Sequence, residues 1–436
     1  MEDQENHIEQ DGEIEINEDE IIQEIEEGDQ EEEEEAVVEN EEDQEVVEGE
    51  EEEEEEGEEE DAAFQFLISD PSKSYHGKKL TFWVYKITTE VSVHDEYKEP
   101  EYEVRRRFSH FLWLRQQLVD NHPGCIVPPV PEKDFKGTLE KFVNGVDTKG
   151  LLEYRQRSLT KFLTRVGEHY ILQKDEALHA FLTEEFNDFC NTIKTSSSKK
   201  SQSLGWFKKS LTHQLTWVSQ QKKFVTDLEE ALKQLKSKLE HMVRRRKDMS
   251  HAISEFGNAF EVLGTVEKMY EESALSSSLI EVSKKADLLS LGALSQAERE
   301  TMQVIETLTY YLGMCDSIKA IIKRLDELRL EKDDATNTLR NNKASAAKAQ
   351  KSGKPDKVAN AEEKVAATQA RLTEAEDVLN KAQECFRNDI DRFDMERRVD
   401  FQYMLRAFVA LQIEYSNELS KSWETLLPTI STIQPV

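Results

Sequence analysis

The sequence predicts a small α+β domain, an antiparallel sheet with helices, followed by an all-α region of three long coiled-coil helices. A disordered acidic tail precedes both. Three observations predict this. Residues 1–61 hold 36 acidic side chains and no Lys or Arg. From Phe64 to Phe108, strand-like aromatic and β-branched runs alternate with polar turns, and helical patterns follow. No proline occurs between Pro131 and Pro355, while apolar residues recur there at alternating steps of three and four.

The tail accounts for the charge of the whole chain. The 436 residues carry a formal net charge of −35. Beyond residue 61 there are 56 basic and 55 acidic groups, a net of +1. The acidity therefore gives no argument against an anionic partner for the rest of the chain. The unbroken runs Glu31–Glu35 and Glu50–Glu56 repel themselves and bury little, which predicts disorder. Ile21–Ile22 and Val46–Val47 are read as solvated positions, with short docking motifs as the alternative.

In the α+β domain, strands are predicted at Phe64–Ile68, Leu80–Thr88 and Tyr102–Phe108, with turns at Asp70-Pro71, His76-Gly77 and His94–Glu96. Ser109–Val119 reads as a helix, Ile126–Pro131 as a proline-rich loop, and Leu139–Phe189 as two or three helical segments. In the long-helix region one stripe runs Val225, Leu228, Leu232, Leu235, Leu239, Met242. A second runs Ile305, Leu308, Leu312, Cys315, Ile318, Ile322, Leu325. A third runs from Val358 to Phe393 through Leu372, Leu379, Phe386 and Ile390. Breaks are expected near Ser273–Ser278 and at Ser352-Gly353-Lys354-Pro355, so the last two helices form a hairpin. A stripe this long calls for a dimer. The cysteines Cys125, Cys190, Cys315 and Cys385 lie far apart with no CxxC pair. A disulfide framework has no support there, and a reducing compartment is expected. The acidic N-terminus has no secretory pattern, and no apolar run is long enough to span a bilayer, so membrane contact would be peripheral.

Three segments of the small domain carry chemistry. Arg105-Arg106-Arg107-Phe108-Ser109-His110-Phe111 sets three arginines, whose forked donors suit phosphate, at a strand-to-helix junction. A solvated basic strand end is the plainer reading. Val127-Pro128-Pro129-Val130-Pro131-Glu132-Lys133 favours an extended loop; its PxxP offers a ligand for an SH3-type domain as the lesser alternative. Tyr154-Arg155-Gln156-Arg157-Ser158-Leu159 puts Arg155 and Leu159 on one helix face.

In order and spacing these segments resemble the phox-homology (PX) domain: an R-R-[YF]-S-x-F block, a P-P-x-P-x-K loop and an R-x-x-x-L helix. The resemblance implies binding of phosphatidylinositol 3-phosphate. Arg107 would clamp the 3-phosphate, Phe108 would stack under the inositol ring, Lys133 would meet the 1-phosphate, and Arg155 would bond the 4- and 5-hydroxyls. Phe108 stands where the family more often has Tyr and keeps the apolar face. Val130 and Phe135 would dip into the bilayer, with core packing as the alternative.

Between the domains, Leu204, Phe207, Leu211, Leu215 and Val218 share one helical stripe with Lys208 and Lys209 beside it, and Asn191–Thr226 carries +7 with no acid. A basic amphipathic helix of this kind lies in a membrane interface; the competing reading is the first turns of the long bundle. Arg244, Arg245 and Arg246 are the densest basic cluster of the long helices. Arg340, Lys343, Lys348, Lys351, Lys354 and Lys357 gather at the hairpin.

Three long helices after such a domain resemble the BAR domain of sorting nexins of the PX-BAR class, the retromer-associated kind. Ile68-Ser69-Asp70-Pro71, Lys354-Pro355-Asp356-Lys357, Asp391-Arg392-Phe393-Asp394-Met395-Glu396 and Trp423-Glu424-Thr425-Leu426-Leu427-Pro428 carry the likeness. It implies a tail over 1–61, a PX domain over 62–190, a basic linker helix over 191–222 and a BAR domain over 223–430. It also implies a homodimer or a heterodimer with another BAR-type sorting nexin, and retromer cargo-recognition subunits as partners. The expected setting is the cytosolic face of early endosome membranes and tubules. The tail lacks an aromatic-bearing acidic docking motif. No nucleotide, zinc-protease or serine-hydrolase motif occurs, so neither an enzyme, a cofactor, a metal nor a nucleic-acid partner is expected. The alternative function is a cytosolic coiled-coil scaffold whose PX domain binds protein rather than lipid.

Overall fold

Three antiparallel strands, β1 (Phe64–His76), β2 (Lys79–Val91) and β3 (Glu101–Arg107), form one sheet in the order β1-β2-β3. The computed structural model describes residues 63–76, 79–92, 97–131, 148–196, 216–270, 273–352 and 355–433. Ile68 pairs with Ile87 and Ile87 with Val104, so one register row carries three aliphatic residues to the same buried face. The helices α1 (Phe108–Asn121), α2 (Thr148–Gly167), α3 (Glu176–Thr183) and α4 (Phe186–Ser196) supply the rest of this core. Phe111, Leu114, Leu159, Phe162, Phe181 and Phe189 are fully buried in it. Asp70-Pro71 is not the expected turn: β1 continues through it with a bulge between Ser69 and Ser72, and Asp70 takes a φ of 47°. A bulge absorbs the extra residue and keeps the strand paired on both sides.

The long helices follow the apolar stripes. Helix α5 spans Thr216–Tyr270. Helix α6 (Ala274–Glu300) continues through a π-helical turn (Thr301–Ile305) into α7 (Glu306–Ser352), one unbroken rod. Helix α8 spans Pro355–Glu424, 70 residues, or about 100 Å at 1.5 Å per residue. A short α9 (Leu427–Ile430) closes the described chain. Ser273 caps α6, and its side chain and that of Ser276 each accept from the other's backbone N–H, which accounts for the break there. Leu308, Cys315, Ile318, Ile322 and Leu325 meet Leu379, Phe386, Ile390, Phe393 and, from α5, Val225 and Leu232 in one core. Leu235, on the same predicted stripe, is exposed, so that stripe is not buried throughout.

The two cores are joined. Ile126, from the loop after α1, is buried among the long helices, and Cys385 of α8 is buried in the core of the small domain. Cys125 and Cys385 are bonded to each other across 260 residues of sequence. This corrects the expectation that no disulfide would form. Spacing along the chain cannot report a pair that only the docking of two domains brings together. The boundary expected after residue 190 falls inside α4. No helix among the described residues is long and apolar enough to cross a membrane.

Candidate lipid-headgroup site

The three arginines of β3 have three different surroundings, because successive side chains of a strand point to opposite faces. Arg105 reaches Asp70 Oδ2 at 3.1 Å and Ser72 Oγ at 3.0 Å on the bulge. Arg106 is fully buried. It donates to the carbonyls of Phe181 (2.9 Å), Glu184 (2.6 Å) and Arg105 (2.9 Å). Its guanidinium lies 4.2 Å from the Phe189 ring. The C-terminal carbonyls of α3 thus meet a cation, while burial lowers the Arg106 pKa to about 10.

The third arginine, Arg107, is placed differently. It stands at the N-cap of α1, whose first turn has no acidic residue and no side-chain cap. Its guanidinium lies 5.2 Å from the Phe82 ring, and its buried Nε has no hydrogen-bond partner among the described residues. Uncapped helical N–H groups beside an arginine favour an anion. Arg155 of α2 lies 4.8 Å over the ring of Phe108, so two more of the predicted residues meet. Tyr85, fully buried beneath them, has its pKa raised by burial against the opposing charge of Arg155. His110, one turn into α1, is held down to about 3 by burial and by Arg107 and Arg106, so it is neutral near pH 7. Tyr85, Phe82 and His110 were missed in the sequence, where an aromatic strand and a lone His read as core.

The other predicted contacts divide. Val130 is half-buried and packs on the small-domain core. Arg244 and Arg245 are exposed on α5. Arg246 is not: its side chain holds Glu300 at 3.0 and 3.1 Å and Gln296 at 2.8 Å inside the bundle. This corrects its assignment to membrane contact, since its charge is already neutralised. Lys133, Phe135, Leu204, Phe207, Lys208, Lys209, Leu211 and Leu215 lie outside the described residues. Of the linker stripe, Val218 is described, and it is buried in the long-helix core with Trp217 packed on Phe386. For that end the competing reading, the first turn of the bundle, holds. Arg340, Lys343, Lys348, Lys351 and Lys357 are exposed near the hairpin.

The chain matches the PX domain family over residues 95–185 and the Vps5 C terminal like family over 186–429, more than half its length. The chain belongs to the PX-BAR sorting nexins. Strands β1 and β2 both precede the matched PX range yet complete its sheet. This sorting nexin is 26% identical over 389 residues to sorting nexin-1 of Mus musculus, a match covering 84% of this chain and 72% of that one. It is 27% identical over 378 residues to sorting nexin-2 of Bos taurus, with the same coverages. Its fold is similar to the cryo-EM structure of the SNX-BAR Mvp1 tetramer, with a TM-score of 0.61, 17% identity, and coverage of 83% of this chain and 99% of that chain. PX-BAR sorting nexins dimerise through the BAR helices, bind phosphoinositide membranes peripherally, and act in membrane remodelling and endosomal sorting.

Proposed function

We propose that this sorting nexin binds phosphatidylinositol 3-phosphate through Arg107, Phe108, Arg155 and Lys133, and carries cargo in retrograde or recycling transport from early endosomes with retromer subunits. One observation carries the lipid reading. Of three adjacent arginines, Arg105 is engaged by Asp70 and Arg106 by backbone carbonyls, and among the described residues the buried Nε of Arg107 has no hydrogen bond beside an uncapped helix start. Arg155, with its guanidinium 4.8 Å over the Phe108 ring, adds a second fork of donors against that apolar ring. We take residues 1–61 as the tail, 62–190 as the lipid-binding domain, 191–222 as a linker that lies on the membrane through Leu204, Phe207, Leu211, Leu215, Lys208 and Lys209, and 223–430 as the BAR domain. Val130 and Phe135 touch the bilayer beside the headgroup, and Arg244, Arg245 and the hairpin lysines add nonspecific attraction of roughly 1 kcal/mol per basic group.

Flotation with liposomes containing phosphatidylinositol 3-phosphate, other phosphoinositides or none tests this. Wild type floats preferentially with the 3-phosphate, and Arg107→Ala reduces that preference at least tenfold while Arg105→Ala keeps it. If Arg107→Ala floats as well as wild type, the headgroup site is wrong and the protein-binding scaffold becomes the better reading.

A further inference from the structure

The loop that follows α1 is seated on the long helices from several sides. Gly124 has a φ of 114°, and a Cβ there would overlap the backbone of Ala382, 2.7 Å from its Cα. The ring of Pro129 rests where a side chain at Gly313 would stand. Ile126 donates its N–H to Asp389 Oδ2 at 2.6 Å, and His169 Nε2 meets the same oxygen at 3.0 Å. Ser317 donates to the Val127 carbonyl at 2.9 Å, and Arg115 to the Pro128 carbonyl at 3.0 Å. At the centre of this joint sit Cys125 and Cys385, 5% and 8% exposed, with Cα atoms 5.6 Å apart. That separation lies within the ordinary disulfide range of roughly 4.4–6.8 Å.

We propose that Cys125 and Cys385 are a reversible thiol–disulfide lock between the PX domain and the BAR domain. The hydrogen bonds and close backbone contacts do not depend on the S–S bond, so the reduced joint stays assembled with its two thiols adjacent. A low-molecular-weight disulfide such as oxidised glutathione closes the lock. The two thiols give up two protons and two electrons, one S–S bond forms between them, and the oxidant's S–S bond breaks to leave two molecules of its thiol. Excess dithiol reverses the exchange. Closing the lock turns a joint that opens locally into one that cannot open without breaking a covalent bond.

The test uses the full chain, treated with dithiothreitol or with oxidised glutathione, then alkylated after denaturation and mapped by mass spectrometry. Oxidised protein is expected to carry the Cys125–Cys385 peptide pair and no alkyl group on either. Its thermal midpoint rises by roughly 5 °C, and amide exchange in residues 122–131 slows at least tenfold. Cys125→Ser abolishes the pair and the rise. The lock is overturned if both thiols remain alkylatable after oxidation, if each instead carries a glutathione, or if the midpoint is unmoved once the bond has formed. It is equally overturned if protection persists in dithiothreitol and a chelator removes it, which would make Cys125, Cys385 and Asp389 a metal site. Should Cys125→Ser fail to fold, the oxidised and reduced wild-type proteins still decide.

Discussion

Arg106 holds four backbone carbonyls with one guanidinium, and its neighbours on the strand hold none of them. Arg106→Met would leave buried carbonyls without donors, and a loss of about 3–5 kcal/mol in chemical denaturation is expected. Arg105→Ala, which breaks a pair whose side chains are 44% and 62% exposed, is expected to cost under about 1 kcal/mol. His110 sets a pH dependence. Its folded pKa lies below the ordinary His value, so the unfolded chain binds the proton first as pH falls. Stability is therefore full above about pH 6.5 and declines below it, by about 2 kcal/mol at pH 5 from this residue. Denaturation midpoints measured from pH 7.5 to 5 check this, and His110→Gln should flatten the slope if the variant keeps its fold. The arginine triplet stood out in the sequence, but which of its members the protein itself engages did not, because that depends on the Asp70 bulge and the end of α3.

At the scale of elements, the joint and the third long helix make different demands. Gly124→Ala puts a Cβ into the Ala382 backbone at a φ that L-residues rarely adopt. It is expected to cost at least about 2 kcal/mol and to raise amide exchange in residues 122–131 while α8 stays protected. Phe393, 1% exposed between α7 and α8, should lose about 3–5 kcal/mol on replacement by Ala, through the cavity it leaves. The stripe from Leu372 to Phe393 was readable because helix period and burial coincide along it. The start of β1 was readable, but its continuation past Asp70-Pro71 was not. A bulge and a turn use the same residues, and pairing with β2 alone decides between them.

At the scale of the molecule, the end of the bundle away from the α7–α8 hairpin leaves apolar side chains in solvent. Val266 and Met269 on α5, Leu288 and Leu291 on α6, and Tyr403, Val409 and Ile413 on α8 are 44% to 77% exposed. A monomer rarely exposes so extended an apolar face, and this is the surface through which we expect the BAR helices to pair. Val409→Glu combined with Ile413→Glu should shift the protein to monomer at micromolar concentration in analytical ultracentrifugation. Both positions are more than half exposed, so helicity should be kept. Residues 1–61 carry −36 against +1 for the rest of the chain. Deleting them should strengthen binding to anionic liposomes at low salt, an effect that salt removes.

The sequence by itself determined the two kinds of architecture, the order of the regions and the residues that carry the family likeness. Each of these depends on local patterns: strand alternation, helical period, absence of proline, and runs of charge. Only the tertiary structure decided that Arg105 meets Asp70 and Arg106 the end of α3, that Arg246 turns inward to Glu300, and that Cys125 meets Cys385. In each case the partner comes from a different element, 54 to 260 positions away for the last two. Local periodicity says which face of an element is buried, and only the packed chain says which groups that face meets.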